Sequence, residues 1–190
     1  MFPFLLMLLG PFTAAQNPAA SILRPPKGAQ VALVVFEDLE CPDCRRAAPL
    51  VLDAGKTYKI PVVRYDFPLP MHPWSFDAAV IARYFTNQNS QLGVDFREYI
   101  FENQPSITKD NLRGFADRFA AAHKADLPFV VDPQGKLAAQ VTADRDLGMR
   151  VGIQHTPTIY VVSNKTSGKP FVEVVDRSQL FQLIDSMKRE

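Results

Sequence analysis

Residues 35–44 read Val-Phe-Glu-Asp-Leu-Glu-Cys-Pro-Asp-Cys, and the organisation of the chain can be inferred outward from this stretch. It begins inside a continuous apolar run, Val31–Phe36, whose length and β-branched residues are typical of a strand buried on both faces. A helical pattern over residues 41–56 follows directly. Pro42 suits the first turn of that helix, whereas Pro49 lies inside it and is expected to kink it.

Cys41 and Cys44 are the only cysteines of the chain, and both stand at the start of the predicted helix. Unpaired backbone N–H groups and the positive end of the helix dipole favour a thiolate at Cys41. The thiolate is the nucleophile in disulfide chemistry. Cys44 lies one turn further along, where it can attack a mixed disulfide formed by Cys41. The spacing therefore predicts thiol–disulfide exchange, with Cys41 as the reactive cysteine and Cys44 as the resolving one.

The composition narrows the class of protein. The chain has 190 residues, of which 47% are hydrophobic and 22% are charged, so it is long and apolar enough for one domain with a substantial core. Its formal net charge of +1 offers no large basic excess for binding nucleic acid. Two cysteines exclude a four-cysteine zinc site and a small fold held together by several disulfides.

The N-terminal residues predict export from the cytoplasm. The first charged residue is Arg24, and the apolar run Phe4–Leu9 is too short to span a bilayer. Small residues at 13–15 suit signal peptidase, so we expect a signal peptide over residues 1–15 and a protein of the periplasm or cell envelope. No Lys or Arg precedes the apolar run, which leaves an apolar N-terminal arm packed on the domain as the alternative. Residues 16–29 are predicted to be a linker.

The rest of the sequence alternates between patterns typical of strands and helices, and it predicts an α/β domain over residues 30–190. The predicted strands are Ile60–Phe67, Thr158–Val162 and Phe171–Val175, with a hairpin turn over Asn164–Lys169 that contains Gly168. The predicted helices are Ser75–Phe85, Val94–Phe101, Lys109–His123, Gln134–Arg150 and Ser178–Lys188, the last capped by Ser178. Two strands flanking a helix indicate a parallel βαβ unit, and the helices at about 72–130 form an insertion within this pattern.

Four motifs carry a resemblance to a known family. They are residues 35–44, Pro49, Arg64–Leu69 with His72, and Val151–Thr158, which reads Val-Gly-Ile-Gln-His-Thr-Pro-Thr. In these motifs the chain resembles the thioredoxin superfamily and, within it, the DsbA-like thiol–disulfide oxidoreductases. The resemblance covers roughly residues 30–188 and implies a thioredoxin fold with a helical insertion between the second and third strands.

The resemblance also implies roles for several residues. Pro157 occupies the place of the family's cis-proline, which faces the active-site disulfide, so His155, Thr156 and Pro157 are expected to contact the substrate. The implied activity is that of an oxidase, which donates its disulfide to reduced client proteins and is re-oxidised by a membrane quinone-linked partner of the DsbB or vitamin-K-epoxide-reductase type. No organic cofactor and no metal are implied, because two sulfur atoms carry the electrons.

The sequence departs from this family pattern ahead of the first cysteine. Many relatives carry a buried acid six residues before it, and Val35 stands there in this chain. Glu37, Asp38 and Glu40 follow near the end of the predicted strand. Proton transfer on the buried thiol is therefore expected to use one of these acids or water.

A second departure lies between the cysteines, where the strongest oxidants that the chain resembles have histidine. Asp43 places a negative charge beside Cys41, which is expected to disfavour the thiolate. Arg45 lies four residues after Cys41 on the same helical face and is expected to favour it. Together with Pro42, these residues are predicted to adjust the active site, and we expect an enzyme less oxidising than a strong periplasmic oxidase.

Several alternatives remain open from the sequence alone. The same dithiol could serve a reductase or isomerase, and a non-catalytic binding or chaperone-like module could use the fold's groove without turnover. A small-molecule enzyme on this scaffold is a third alternative, although such chemistry needs at most one nucleophile. The two cysteines could also be half of a metal site, but no further ligands lie at suitable spacing in the sequence. A purely structural disulfide is the last alternative, although in so short a loop it would stabilise the fold little. His72 is predicted to be structural.

Overall fold

Four strands form one mixed sheet in the computed structural model, which describes residues 22–165 and 169–189. They are β1 (Val31–Glu37), β2 (Val62–Asp66), β3 (Thr158–Ser163) and β4 (Phe171–Glu173), in the order β2–β1–β3–β4 across the sheet. β2 runs parallel to β1, whereas β3 is antiparallel to both β1 and β4. The predicted parallel βαβ unit and the C-terminal antiparallel pair are both confirmed.

Six α-helices surround the sheet in the described part of the chain. They are α1 (Pro42–Tyr58), α2 (Ser75–Gln88), α3 (Ser90–Asn103), α4 (Leu112–His123), α5 (Lys136–Val151) and α6 (Leu180–Arg189), with 3-10 turns at Gln104–Ser106 and Arg177–Gln179. Helices α2–α4 lie between the second and third strands, as the prediction of an insertion requires. Over residues 22–165 and 169–189, no helix combines the length and apolar character that crossing a bilayer would need.

The structure shifts several predicted boundaries. Helix α3 begins before the predicted Val94, because the Asn89 side chain caps it by accepting hydrogen bonds from the backbone N–H groups of Gln91 and Leu92. Ser178 is not the cap of the last helical segment. Asp176 has that role instead, since its carboxylate accepts hydrogen bonds from the Ser178 backbone N–H, at 3.0 Å, and hydroxyl, at 2.7 Å.

Other boundaries move by a few residues. Strands β2 and β4 are shorter than predicted, at Val62–Asp66 and Phe171–Glu173. Helix α1 remains one continuous element through Pro49 and ends at Tyr58. The predicted signal peptide, residues 1–15, and Gly168 of the predicted hairpin turn lie outside the described residues.

Strand β1 is the centre of the core, and every one of its residues is buried. Val31, Leu33 and Val35 face α1 and α6 on one side of the sheet. The alternate residues Ala32, Val34 and Phe36 pack on the other side, around Phe67 and Ile153. This burial on both faces explains why the β1 sequence is a continuous apolar run rather than an alternating one.

One residue of the predicted linker and the helices of the insertion also contribute to the core. Leu23, which falls within the predicted linker, is only 2% exposed and packs against the sheet. The insertion has its own core, in which the ring centroids of Phe85, Phe96 and Phe119 lie 4.9–5.1 Å from one another. Both cysteines belong to this same buried cluster, so the insertion packs directly behind the predicted active site.

Gly148 marks a place where α5 approaches the sheet too closely for a side chain. A Cβ atom there would lie 2.5 Å from the Phe67 ring and 3.2 Å from the Phe36 ring. We expect Gly148→Ala to lower the free energy of unfolding by about 1–3 kcal/mol through overpacking, despite the better helix propensity of alanine. Urea denaturation measures the change.

Gly114→Ala is the matched control in helix α4, because its Cβ would meet only the end of the Arg118 side chain, at 3.5 Å. This variant is expected to keep or slightly raise the free energy of unfolding. Equal effects of the two substitutions would contradict the close packing of α5 on β1.

Candidate active site

The sulfur of Cys41 lies where three elements meet: the end of β1, the start of α1 and the loop before β3. Cys41 is the N-cap residue of α1 and has an extended backbone. When it is protonated, its thiol donates a hydrogen bond to the backbone carbonyl of Thr156, with a sulfur–oxygen distance of 3.3 Å. Cys41 is 7% exposed and Cys44 is 2% exposed, and both are free thiols. The first cysteine is therefore the more accessible one, and the second lies beneath it.

The surroundings change the acidity of the two thiols in opposite directions. The pKa of Cys41 is lowered to about 5, chiefly by a hydrogen bond from the Cys44 side chain, with further hydrogen bonds from the Thr156 side chain and the backbone N–H groups of Cys44 and Asp43. Burial opposes this shift but does not cancel it. The pKa of Cys44 is raised well above 9, mainly by burial. At neutral pH the site therefore holds one thiolate and one thiol.

The predicted substrate-contacting residues lie beside Cys41. The Thr156–Pro157 peptide bond is cis, and both residues are buried, whereas His155 is exposed. The Thr158 hydroxyl donates a 2.7 Å hydrogen bond to the His155 carbonyl and so fixes the turn into β3. The buried Thr156 hydroxyl has no hydrogen-bond partner at bonding distance among the described residues. It therefore remains available to the Cys41 thiolate, whose pKa it lowers.

The charge of Asp43 is compensated, in contrast to the expectation from the sequence. Its carboxylate accepts hydrogen bonds from Arg46, at 2.9 Å, and from Arg177, at 2.5 Å, and these partners lower the pKa of Asp43. The backbone N–H of Asp43 meanwhile favours the Cys41 thiolate. Two guanidinium groups therefore offset the Asp43 charge that is predicted to act on the thiolate. Nothing in the sequence pointed to Arg177, which reaches the site from the turn after β4.

The two other residues predicted to adjust the site lie on its outer side. Pro42 is exposed in the first turn of α1. Arg45 lines a surface cavity of about 310 Å³ together with Pro49 and Phe101. Arg45 is not among the main causes of the lowered pKa of Cys41, which come from neutral hydrogen-bond donors instead.

The Asp38 carboxylate holds the loop that precedes Cys41. It is completely buried and accepts hydrogen bonds from the backbone N–H groups of Leu69 and Glu40, each at 2.7 Å. The His72 ring nitrogen Nδ1 lies 2.7 Å from the same carboxylate, and the Ser75 hydroxyl donates to it. The Asp38 backbone N–H points to the Cys44 sulfur, at 3.4 Å. Asp38 thus joins the active-site loop to the segment between β2 and α2.

Glu37 supplies the buried negative charge nearest to the site in the sheet, while Val35, at the family's usual acid position, is an apolar core residue. The Glu37 carboxylate is bound by Arg64, at 2.5 Å, and by Arg97, at 3.1 Å. The charge of Glu37 also contributes to the raised pKa of Cys44.

Two further side chains connect the insertion to the active-site loop. The Glu40 carboxylate accepts hydrogen bonds from the backbone N–H groups of Trp74, at 2.7 Å, and Ser75, at 3.0 Å, and burial raises the pKa of Glu40. The buried Gln104 amide donates to the carbonyls of Leu39, at 2.8 Å, and Cys41, at 3.1 Å. The position of Gln104 could not be predicted from the sequence, since a lone glutamine among apolar helices carries no recognisable motif.

The donor groups in this region do not resemble a metal site. Within residues 22–165 and 169–189, no three His, Cys, Asp or Glu side chains come together in a way that could hold a metal ion.

The two pKa values predict the pH dependence of alkylation. Cys41 in the reduced protein is expected to react with iodoacetamide at a rate that rises with pH around a midpoint of about 5, since the thiolate is the reactive form. Cys44→Ala removes the largest cause of the shift and is expected to move the midpoint upward. A Cys41 midpoint near 9 in the unsubstituted protein would contradict the geometry.

The same shift predicts how stability depends on pH. The Cys41 pKa is lower in the folded state than in the unfolded chain, so its contribution to the stability of the reduced protein is complete above about pH 9 and is lost as the pH falls toward about 5. The difference in unfolding free energy between the reduced protein and Cys41→Ala is therefore expected to increase as the pH rises from about 5 to about 9. Urea denaturation across this pH range measures it, and a constant difference would contradict the lowered pKa.

Comparison with known proteins agrees with this architecture. A sequence model of the thioredoxin family matches residues 25–178. The crystal structure of α-DsbA1 from Wolbachia pipientis superposes with a TM-score of 0.71 at 17% identity and covers 89% of this chain and 95% of that one. BdbD from Bacillus subtilis, in its oxidised form, gives a TM-score of 0.68 at 22% identity and covers 88% and 92% of the two chains.

A further similarity is to part of a larger protein. The Na(+)/H(+) antiporter NhaA 1 of Salinispora arenicola is 25% identical over 161 residues, which cover 84% of this chain. The matched region makes up 24% of that protein, so the chain spans about a quarter of the length of this curated relative. With the family match over residues 25–178 and the helical insertion between β2 and β3, the chain belongs to the thioredoxin family and has the DsbA-like form of its fold.

Proposed function

We propose that this protein is a thiol–disulfide oxidoreductase that oxidises cysteines of exported client proteins through Cys41 and Cys44. The observation that carries the proposal is the opposite shift of the two thiols, with the pKa of Cys41 lowered to about 5 and that of Cys44 raised well above 9. A thiolate that is stabilised in the reduced protein favours the dithiol state over the disulfide. Such a protein tends to give its disulfide away.

The reaction follows from this asymmetry. A client thiolate attacks the Cys41 sulfur of the disulfide, and the Cys41–Cys44 bond breaks with Cys44 as the leaving group. Cys44 then takes up a proton, because its pKa is well above neutral. A second client thiolate attacks the client sulfur of the mixed disulfide and expels Cys41, which leaves readily because its thiolate is stable. The client gains a disulfide, and the enzyme gains two electrons.

The surface next to Cys41 supports contact with an extended client segment. His155 is exposed beside the buried Thr156 and Pro157, and the Thr156 carbonyl already lies within hydrogen-bond distance of the Cys41 sulfur. In this proposal these three residues hold the client chain while Cys41 reacts. Re-oxidation requires a disulfide donor, for which a membrane quinone-linked oxidase of the DsbB or vitamin-K-epoxide-reductase type is proposed, in the periplasm or cell envelope.

A reductase or isomerase is the second candidate, because it would use the same cysteines with electrons flowing the other way. The buried Glu37 carboxylate near Cys44 is the observation that favours it, since a reductase must remove the Cys44 proton before this thiol can attack the mixed disulfide. The reduction potential distinguishes these two directions. A non-catalytic binding module would instead retain client binding when Cys41 is replaced.

Replacing each cysteine separately tests the proposed roles. Cys44→Ala is expected to accumulate a mixed disulfide between Cys41 and client proteins when it is mixed with glutathione-oxidised, unfolded clients, because no resolving thiol remains. Cys41→Ser is expected to form none and to lose all activity in the refolding of a reduced, disulfide-containing client. Electrophoresis without reductant measures the first result. Full activity of Cys41→Ser would exclude the oxidase and the reductase or isomerase, and only the non-catalytic binding module would remain as a candidate function.

The reduction potential and its pH dependence provide the second test. Equilibration of the protein with glutathione buffers is expected to give a value closer to about −120 mV than to about −270 mV, the values of a strong oxidant and of thioredoxin. Between pH 6 and pH 8 the potential is expected to fall by about 30 mV per pH unit, because reduction takes up two electrons but only one proton there. A slope of about 60 mV would mean that both thiols are protonated.

A further inference from the structure

Positive side chains gather at the end of the domain that lies opposite Cys41. This basic pole consists of Lys27 before β1, Lys56 and Lys59 at the end of α1, Lys165 and Lys169 between β3 and β4, and Lys188 and Arg189 at the end of α6. It contains six of the nine lysines of the chain. All seven side chains except that of Lys165 belong to exposed residues.

The topology places this pole far from the active site. Lys27 precedes the first residue of β1, whereas Cys41 follows its last residue. The seven residues of β1 span about 20 Å at the usual rise of a strand. The pole and the thiolate therefore face in opposite directions.

Three of the lysines surround one depression in the surface. Lys27, Lys59 and Lys188 line a cavity of about 480 Å³, and its described lining includes no carboxylate side chain. The Lys188 ammonium group lies 5.4 Å from the centre of the Tyr58 ring. The Lys165 ammonium group donates a 2.7 Å hydrogen bond to the Lys188 backbone carbonyl, which ties the β3–β4 connection to the end of α6.

Negative charges only partly compensate the pole. Asp53, which accepts a hydrogen bond from the Thr57 hydroxyl, and Asp185, which contacts the Tyr58 hydroxyl, are the described carboxylates on the last turns of α1 and α6. The formal net charge of the whole chain is only +1, so the remainder of the chain carries an excess of negative charge. The molecule is thus electrostatically polarised along the direction of β1.

We propose that the basic pole docks on an anionic phospholipid bilayer and holds the active site away from the membrane surface, so that the protein must leave the bilayer before a membrane partner can re-oxidise it. Clustered lysines are attracted to anionic headgroups, and the cavity lined by Lys27, Lys59 and Lys188 suits a lipid phosphate. Six of these cations are exposed and spread over one end of the domain, which matches an extended anionic surface rather than a single small soluble anion.

Sedimentation with vesicles tests the proposal on the full chain. The protein is expected to bind vesicles of phosphatidylcholine that contain about 40% phosphatidylglycerol, because this anionic lipid gives the vesicle a negative surface. Binding is expected to weaken in about 0.5 M salt, because exposed charges are screened at this ionic strength. Replacing Lys27, Lys59 and Lys188 by glutamine is expected to reduce the partition coefficient roughly 100-fold, at about fivefold per lysine.

The other three lysines provide the matched control. Lys109, Lys124 and Lys136 are exposed and lie in the insertion and the segment after it, and their replacement by glutamine changes the net charge equally. Each set also contains one lysine in the left-handed conformation, Lys59 or Lys124. The control variant is expected to bind as the unsubstituted protein does. Equal weakening by both sets, no weakening by the pole set, or equally tight binding to pure phosphatidylcholine would overturn the proposal.

Orientation is tested independently of any redox activity. Cys41 of the reduced, vesicle-bound protein is expected to react with iodoacetamide within about twofold of its rate in solution, because diffusion to a site about 20 Å from the bilayer is unhindered. Strong protection of Cys41 on vesicles would show that the opposite end docks and would overturn the proposal. Neither readout depends on whether the protein acts as an oxidase.

Discussion

The Asp38 carboxylate is the constraint on which the active site depends. A carboxylate removed from water is unfavourable unless its oxygens are well bound, and this one accepts from two backbone N–H groups, a hydroxyl and a histidine ring. Its donors come from the loop before Cys41, from the segment after β2 and from the start of α2. One buried charge therefore determines where these three pieces of chain lie relative to each other, and the reactive cysteine follows directly.

Hydrogen bonds from neutral groups, rather than a nearby cation, make the first thiol acidic. The Cys44 side chain, Thr156 and two backbone N–H groups all favour the Cys41 thiolate, whereas the guanidinium groups of Arg46 and Arg177 are occupied by Asp43. The second thiol lies in an apolar cluster near the Glu37 charge, which favours its protonated form. Two cysteines separated by one helical turn thus have opposite acid–base properties.

The local features of this fold could be predicted because they depend on neighbours in sequence. The apolar run of β1, the cysteine pair at the start of α1 and the parallel βαβ unit all follow from periodicity and spacing. The ion pair of Asp43 with Arg177 could not be predicted because Arg177 is far away in the sequence. Gln104 and the Asp38–His72 contact were missed for the same reason, since tertiary contacts between single polar residues leave no pattern in the chain.

Gln104 has a consequence for how the protein opens locally. Its amide joins the turn after α3 to the carbonyls of Leu39 and Cys41, and the same cluster of buried side chains contains the aromatic rings of the insertion and both cysteines. The helices of the insertion therefore cannot separate from the sheet without releasing the active-site loop. We therefore expect the amides of α3 and those of the start of α1 to open as one cooperative unit, so that Cys41 shares the kinetic protection of an aromatic core.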